Sequence, residues 1–309
     1  MTTEAHTAGP LRVGIDLGGS KIAGIALGPG GRCIAEHRIA APRNDYAATL
    51  GAIAQMVQWL EARAGGRGSV GIGMPGSVSP ATGLVQNANS TWLNGQALRR
   101  DLEAQLGRPV QLANDANCFA LSEAVDGAGA GARSVLGVIL GTGCGGGFVF
   151  DGALLDGPRG IGGEWGHNPL PWAEAGEHPG PTCWCGRKGC METWVSGTGL
   201  EADHARATGA QLAAETIAAR AAAGDAGARA TLDRHASRLA RGLAGVINVL
   251  DPEVIVLGGG LSKLAHLYQV LPTLVAPHVF AARADVVIRP PRWGDASGVR
   301  GAAWLWGRP

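Results

Sequence analysis

The feature that constrains the fold most is a strand, a glycine turn and a second strand, which occur in this order twice along the 309 residues. The apolar run 13–17 is followed by glycines and then by the apolar run 22–27. About 120 residues later, the run 135–140 leads into the glycine-rich stretch 141–147, and the run 148–150 returns. Short apolar runs on both sides of a glycine turn are typical of β-hairpins. A hairpin that recurs within one chain predicts two structurally related halves.

A third glycine stretch, 258–260, follows the apolar run 254–257. Glycine leaves the backbone bare, so phosphate oxygens can come close to its N–H groups. Three such stretches at the ends of strands therefore predict a site for the phosphate chain of a nucleotide.

Strands and helices alternate between these glycine stretches. Further strands are predicted at 70–74, 109–113 and 286–288. Helices are predicted at 46–60, 198–223, 225–250 and 296–306, and one more carries Leu98 and Leu102 with Asn94 as its candidate cap. The alternation predicts an α/β fold with mainly open sheets.

Two common nucleotide-binding patterns do not account for the glycines. Gly141, Gly143 and Gly146 satisfy G-x-G-x-x-G, but that fingerprint requires a helix directly after the glycines. Residues 148–152 instead predict a strand that enters a turn. A P-loop motif does not occur in the sequence. The pattern therefore argues against the Rossmann and P-loop folds.

A cysteine loop predicts a metal site. Cys183, Cys185 and Cys190 have C-x-C-x4-C spacing with glycines between them. Three thiolates and one imidazole complete a tetrahedral zinc site, and His167 is the nearest upstream histidine, with His178 as the other candidate. Three free thiols or a disulfide are the alternatives. Four protein ligands leave no position for water, so the pattern predicts structural rather than catalytic zinc.

Composition narrows the class of protein. The net charge of +1 gives no electrostatic reason to expect a nucleic-acid or membrane partner. The first ten residues lack the apolar core of a signal peptide, and no apolar run is long enough to span a membrane. Cys33, Cys118 and Cys144 stand in apolar surroundings and are predicted to be buried in a reducing compartment. We expect a cytoplasmic protein.

Asp115 is the candidate general base. Ligands of open α/β sheets bind at the carboxyl ends of strands, where Asp16, Gly76 and Asp115 fall. Asp115 also precedes a helix, whose N–H groups and dipole are expected to keep its carboxylate ionised. An ordinary helix cap is the alternative. Polar side chains that would bind sugar hydroxyls are Asn87, Asn89, Asn114, Asn117, Glu164, His167 and Glu192.

Together these sites predict phosphoryl transfer from a nucleotide to a sugar. Asp115 would accept the proton of the attacking hydroxyl, and Asp16 would hold Mg²⁺. Lys21 and the glycine amides would offset the charge of the phosphates. Closure of two domains over the sugar would exclude water.

The motifs resemble those of the ROK family of sugar kinases and repressors. The matching segments are 16–21, 114–117, 140–143, 163–167, 183–192 and 257–260, and together they span essentially the whole chain. Within the family, segments 87–95, 164–172, 196–199 and 298–306 are similar to bacterial fructokinases. Ser20 stands where the family usually has threonine, and the hydroxyl is kept.

The resemblance implies a two-domain actin-like ATPase (ribonuclease H-like) fold with a structural zinc loop at 163–192. An N-terminal domain would comprise 1–117 and 296–309, and a larger domain would comprise 118–295. The implied activity is ATP-dependent phosphorylation of fructose at its C6 hydroxyl, by an enzyme that is often a homodimer.

The implied ligand contacts form three sets. The sugar residues are Gly76, Asn89, Asn114, Asp115, Glu164, His167 and Glu192. The ATP residues are Asp16, Gly18, Gly19, Ser20, Lys21, Gly141, Thr142, Gly143, Gly258, Gly259 and Gly260. The zinc ligands are His167, Cys183, Cys185 and Cys190.

Three other functions stay open. The shape of the pocket at the sugar C2 position would distinguish a fructokinase from an N-acetylglucosamine kinase or a glucokinase. A sugar-responsive repressor would need an N-terminal helix-turn-helix, and only about a dozen residues precede the first predicted strand. A zinc-ribbon interaction module would leave the glycine turns without a role.

Overall fold

Two mixed five-stranded sheets form the frame of the protein, as seen in a computed structural model that describes residues 10–307. The polar segment 1–10, for which the sequence predicts no signal peptide, lies almost wholly outside the described residues. The strands of the first sheet are β1 Arg12–Leu17, β2 Lys21–Leu27, β3 Cys33–Ala40, β4 Ser69–Met74 and β7 Val110–Asn114, and β5 Ser77–Val78 pairs separately with β6 Val85–Gln86. The strands of the second sheet are β8 Ser134–Leu140, β9 Cys144–Phe150, β10 Ala153–Leu154, β11 Val254–Gly258 and β12 Ile288–Arg289.

The two sheets repeat one topology. In the first, β2 pairs antiparallel with β1 and β3, and β4 and β7 continue from β1 in parallel. In the second, β9 pairs antiparallel with β8 and β10, and β11 and β12 continue from β8 in parallel. The predicted internal repeat is therefore confirmed. The turn of the second hairpin is shorter than predicted, because pairing already resumes at Cys144.

Helices cover the sheets. Their bounds are α1 Tyr46–Ala64, α2 Leu98–Leu106, α3 Asp115–Val125, α4 Glu192–Val195, α5 Gly197–Thr208, α6 Ala214–Ala222, α7 Ala226–Leu250, α8 Ala265–Val275 and α9 Ser297–Trp304. Most of the periodic apolar residues of α1 and α7 are buried as predicted, and the remaining four are half-buried: Tyr46, Leu50, Val246 and Leu250. Asp45 and Asp225 cap these two helices by accepting bonds from the N–H groups three residues ahead, each at 2.9 Å. The predicted helical stretch 198–223 is two helices, because Gly209 takes a left-handed conformation and ends α5.

Two local predictions are wrong. Asn94 does not cap α2; its side chain accepts from the N–H of Ala88 and donates to the carbonyl of the same residue, both at 2.9 Å. It therefore closes the loop before the helix. Cys33 is exposed on β3, whereas Cys118 and Cys144 are buried as expected.

Helices α3 and α9 connect the two sheets. Helix α3 is buried along most of its length and packs on α9 as well as on β8 and β9. Helix α9 in turn packs on β1 and β4, where Gly14 and Gly71 lie against its backbone carbonyl oxygens. The domain boundary predicted between residues 117 and 118 lies within α3. The limits of the two domains remain a prediction.

Within residues 10–307, none of the helices has both the length and the apolar character needed to cross a membrane.

Candidate active site

A cleft of about 1110 Å³ lies at the carboxyl ends of the central strands. It is larger than two other cavities, of about 350 and 810 Å³. The lining includes every predicted sugar residue and one of the three glycine turns: Gly76, Asn89, Asn114, Asp115, Glu164, His167 and Glu192, with Gly141, Thr142 and Gly143. Asn87 also lines the cleft, whereas Asn117 is buried beneath Gly147 of β9.

The turn from β7 into α3 presents Asp115 to this cleft. Asn114 is the helix cap, and its side chain accepts from the N–H of Ala116 at 2.8 Å and donates to the carbonyl of Gly76 at 3.1 Å. Asp115 is the first helical residue and also accepts from the N–H of Ala116, at 2.8 Å. Because Asn114 performs the capping, the carboxylate of Asp115 is available on the cleft.

The pKa of Asp115 is raised to about 6. Burial is the main cause, and the charge of Asp16 adds to it, while the N–H of Ala116 acts in the opposite direction. The side chain of Asp115 is exposed to the open cleft, but protein atoms lie close on its other sides. These atoms partly exclude water from the carboxylate, and this desolvation raises its pKa. The N–H of Ala116 at the start of the helix favours the ionised carboxylate as expected, but burial and a neighbouring like charge outweigh it and place the pKa above its usual value.

The glycine turns meet beside the cleft. The N–H of Gly141 donates to the carbonyl of Gly143 at 3.0 Å, which closes the β8–β9 turn. Gly259, with φ +78°, lies against Leu140 and Gly141, so the glycines after β11 are next to that turn. The open sides of Gly141 and Gly260 fit an approaching phosphate chain, because a Cβ there would meet no atom closer than 4.0 Å.

The β1–β2 turn lies on the same side but does not line the cleft itself. The N–H of Gly18 donates to the carbonyl of Lys21 at 3.0 Å, and Gly19 lies against the hydroxyl of Ser90. Burial raises the pKa of Asp16, and the charges of Lys21 and Arg38 partly offset this. Asp16 still acts electrostatically on Asp115, so the two carboxylates are neighbours. A single carboxylate suits Mg²⁺, which keeps several waters and phosphate oxygens as its other ligands.

Glu164 and Glu192 line the same cleft and are held there by the β8–β9 hairpin. Trp165 donates its indole N–H to the carbonyl of Gly145 at 3.0 Å and fixes the short turn that carries Glu164. Glu192, the first residue of α4, accepts from the N–H of Cys144 at 3.0 Å. Burial raises the pKa of Glu164, His167 lowers it, and Glu192 raises it further.

His167, Cys183, Cys185 and Cys190 bring their ligand atoms within 4.8 Å of one another. The Nδ1 of His167 is 3.6 Å from the Sγ of Cys183, and the Sγ atoms of Cys185 and Cys190 are also 3.6 Å apart. Ligands of a tetrahedral zinc ion with bonds of about 2.0–2.3 Å are separated by about 3.5–3.8 Å. The cluster therefore fits zinc, and the exposed His178 is not part of it.

Comparison with known proteins assigns a family. The model of the ROK family matches residues 12–308. The chain belongs to the ROK family. It is 44% identical to the N-acetyl-D-glucosamine kinase of Photobacterium profundum over 296 residues. This alignment covers 94% of this chain and 98% of the relative. The family predicted from the motifs is thereby confirmed.

Solved structures of ROK proteins share the fold. The ROK hexokinase from Thermus thermophilus has a TM-score of 0.84 at 34% identity, covering 95% of this chain and 96% of its own. The ROK glucokinase from Streptomyces griseus, solved in complex with glucose and AMPPNP, has a TM-score of 0.76 at 28% identity, covering 96% and 98%. The two-domain α/β architecture with mixed sheets is therefore confirmed.

This ROK protein has cleft residues that the sequence reasoning missed. Trp184 and Arg187 of the cysteine loop line the cleft, as do Ile161, Asn168 and Thr198. The hydroxyl of Thr198 donates to the carbonyl of Thr142 at 2.8 Å and so ties α5 to the glycine turn. An aromatic residue between two closely spaced metal ligands was the available signal for Trp184.

An ion-pair cluster behind the loop was also missed. The buried carboxylate of Glu177 accepts from Arg238 at 2.7 Å and from Arg241 at 2.7 and 2.9 Å. Burial opposes ionisation of Glu177, but Arg241 and Arg238 lower its pKa to about 2. The loop 163–192 is thus attached to α7 independently of any metal. The signal was hard to detect because the arginines lie about 60 residues away in the sequence.

Proposed function

We propose that this ROK protein is an ATP-dependent hexose kinase that phosphorylates N-acetyl-D-glucosamine at its C6 hydroxyl. The observation that carries the proposal is the position of Asp115 next to Asp16, on one cleft that is also lined by the glycine turn 141–143 and by Glu164, His167 and Glu192. Backbone amides suit the phosphates of ATP, and carboxylates with an imidazole suit sugar hydroxyls.

The choice of sugar differs from the first expectation. The similarity of four short segments to bacterial fructokinases favoured fructose as the substrate, with N-acetylglucosamine as an alternative. Relatives named N-acetyl-D-glucosamine kinase, at 44% and 42% identity over nearly their whole length, support the alternative. We therefore assign N-acetylglucosamine as the preferred substrate, and fructose becomes a competitor to be tested.

The proposed reaction is a direct transfer. Asp115 accepts the proton of the C6 hydroxyl while the hydroxyl oxygen attacks the γ-phosphorus of ATP. The bond between the γ-phosphorus and the oxygen that bridges it to the β-phosphate breaks, and ADP leaves. With a pKa of about 6, Asp115 is mostly deprotonated at neutral pH and still basic enough to accept the proton.

Two metals complete the proposal. Asp16 would hold Mg²⁺, which when bound supplies positive charge at the phosphates. The cluster of His167 and three cysteines would hold structural zinc and fix the sugar side of the loop 163–192. The actin-like ATPase (ribonuclease H-like) classification, the homodimer and the cytoplasmic location stay predictions.

A substrate series tests the proposal. ADP release in a coupled assay should give a kcat/KM for N-acetylglucosamine at least about tenfold above those for glucose, mannose and fructose, since the pocket must accept or reject groups at C2. A higher value for fructose would restore the first expectation. Absence of turnover with all four sugars would refute the hexose kinase assignment.

A further inference from the structure

Trp184 of the cysteine loop is unusually exposed for an aromatic residue. Its side chain is 69% exposed, yet it lines the sugar side of the cleft. A ring of this size gains free energy from being covered, so an exposed tryptophan in a binding cleft often contacts a ligand. Trp184 lies between the metal ligands Cys183 and Cys185, which restrain its backbone.

The polar edge of Trp184 is already occupied. Its indole N–H donates to Oε1 of Glu192 at 2.7 Å, and its ring meets His167 edge-on with centroids 5.0 Å apart. The second carboxylate oxygen of Glu192 accepts from Cys144 at 3.0 Å. Glu192 is thus held between the β8–β9 hairpin and the cysteine loop. Loss of the indole N–H would release one end of the carboxylate.

Most of the Trp184 side chain stays exposed despite these contacts. Among the described residues that line the cleft, Trp184 is the only aromatic one, and the other large apolar side chains are Ile139 and Ile161. An N-acetylated sugar differs from glucose by an amide that ends in an apolar methyl group. That methyl group is stabilised by an apolar surface next to the hydroxyl-binding groups.

We propose that Trp184 determines sugar specificity: its N–H fixes Glu192, and its exposed ring packs against the acetamido methyl group of N-acetylglucosamine. This inference rests on the proposed kinase function. It assigns a role to a loop residue that is neither a metal ligand nor the base.

Two substitutions separate the two roles. Trp184→Phe keeps a ring and removes the N–H, so the KM for N-acetylglucosamine should rise about tenfold. Its KM for ATP should stay within about twofold, its zinc content should equal that of the wild type, and its preference for N-acetylglucosamine over glucose should be kept. Trp184→Ala removes the ring as well, so this preference should fall by about fourfold, the effect of one buried methyl group.

Trp172→Phe is the matched control. Trp172 belongs to the same loop and is 51% exposed, but it stacks on His278 and does not line the cleft. The control should match the wild type in all these parameters. Ile161→Ala should keep the sugar preference; if it loses the preference instead of Trp184→Ala, Ile161 forms the apolar wall and the ring contact is refuted.

Fluorescence covers the case in which Trp184→Ala loses zinc. N-acetylglucosamine should change the tryptophan emission of the wild type and of Trp172→Phe but not that of Trp184→Phe. An unchanged emission of the wild type at saturating sugar would refute the ring contact, and an unchanged sugar KM in zinc-loaded Trp184→Phe would refute the N–H role.

One outcome separates this inference from the proposed function. If the wild type phosphorylates another hexose but not N-acetylglucosamine, the proposed substrate and the methyl contact are both wrong. The KM of Trp184→Phe for that hexose then still tests whether the indole N–H positions Glu192.

Discussion

The surroundings of Asp115, the proposed base, set its basicity. The carboxylate lies near Asp16 and Glu164 and accepts from the N–H of Ala116. Burial and the two neighbouring carboxylates favour the protonated form, and the backbone N–H groups favour the ionised form. The resulting pKa of about 6 leaves Asp115 mostly deprotonated at neutral pH and still basic enough to accept a proton.

The activity should therefore depend on pH in a defined way. Because Asp115 must be deprotonated to act, kcat/KM should fall below pH about 6, by about tenfold per pH unit, and level off above it. Above pH about 6, where the wild-type activity has levelled off, Asp115→Asn should lose at least about 10³-fold in kcat while it still binds the sugar. The measurement is the pH profile of kcat/KM for the wild type and the variant.

The matched control is Asp251→Asn, because Asp251 is exposed at the end of α7 with φ +43°, a conformation that asparagine also accepts.

The stability of the protein should also depend on the charge of Asp115. Its pKa is higher in the folded than in the unfolded state, so the protonated side chain is the form that the fold favours. This contribution to stability is fully present below the unfolded pKa and is lost as pH rises through about 6. Asp115→Asn should thus raise the melting temperature at pH 8 but not at pH 3. A flat activity profile down to pH 5, or near-normal kcat in Asp115→Asn, would remove Asp115 as the base.

At the scale of elements, the loop 163–192 joins the sugar site to two anchors. The metal cluster brings His167 next to the cysteines, and Glu177 pairs with Arg238 and Arg241 of α7. Arg238 also packs over the ring of Trp194, two residues after Glu192. Removal of the metal should therefore loosen the sugar side without unfolding the loop.

Cys185→Ser tests this division. The variant should lose zinc, and its KM for the sugar should rise about tenfold or more, because His167 and Trp184 lose their fixed positions. Its KM for ATP should change less than about twofold, since the glycine turns belong to other elements. Metal analysis and steady-state kinetics measure both effects.

Cys33→Ser is the control, because Cys33 is an exposed thiol on β3 outside the cluster. A purified wild-type protein that contains no zinc and is fully active would show that the cluster does not need metal. Equal effects of Cys185→Ser on the KM values of sugar and ATP would contradict the loop's specific role at the sugar site.

At the scale of the whole molecule, α3 and α9 hold the two repeats together. Glycines on β1 and β4 let the backbone of α9 lie directly on the first sheet, and Gly301 of α9 lies against the backbone of Cys118 in α3. Asp115 starts α3, so the packing that joins the sheets also positions this proposed base. The arrangement explains why the cleft is lined by residues from both halves of the chain.

Gly71→Ala should therefore destabilise the protein. Its Cβ would overlap the backbone carbonyl of Ala302, which cannot move without shifting α9, so the expected cost is about 3 kcal/mol or more. Gly51→Ala is the matched control, because Gly51 lies within α1 with no atom within 4 Å of its added Cβ. That substitution should stabilise the protein by about 0.5–1 kcal/mol. Urea unfolding measures both, and equal midpoints for the two variants would show that α9 is not tightly packed on β4.

The sequence by itself determined the features that depend on neighbours in the chain. The hairpins and their glycine turns, the amphipathic helices α1 and α7, and the cysteine loop were all predicted, because turn chemistry, periodicity and ligand spacing are local. The family also followed from such short motifs, whereas the preferred sugar did not, since the pocket at C2 is assembled from distant segments.

Only the tertiary structure decided the environment of each group. The raised pKa of Asp115 comes from burial and from Asp16, about 100 residues away in the sequence. The exposure of Cys33 and the partner of Asn94 likewise depend on how distant segments pack. The position of Trp184 on the cleft likewise follows from contacts with Glu192 and His167 across a folded loop. Burial and electrostatic interactions act through space, so residues far apart in the sequence set the chemistry of this site.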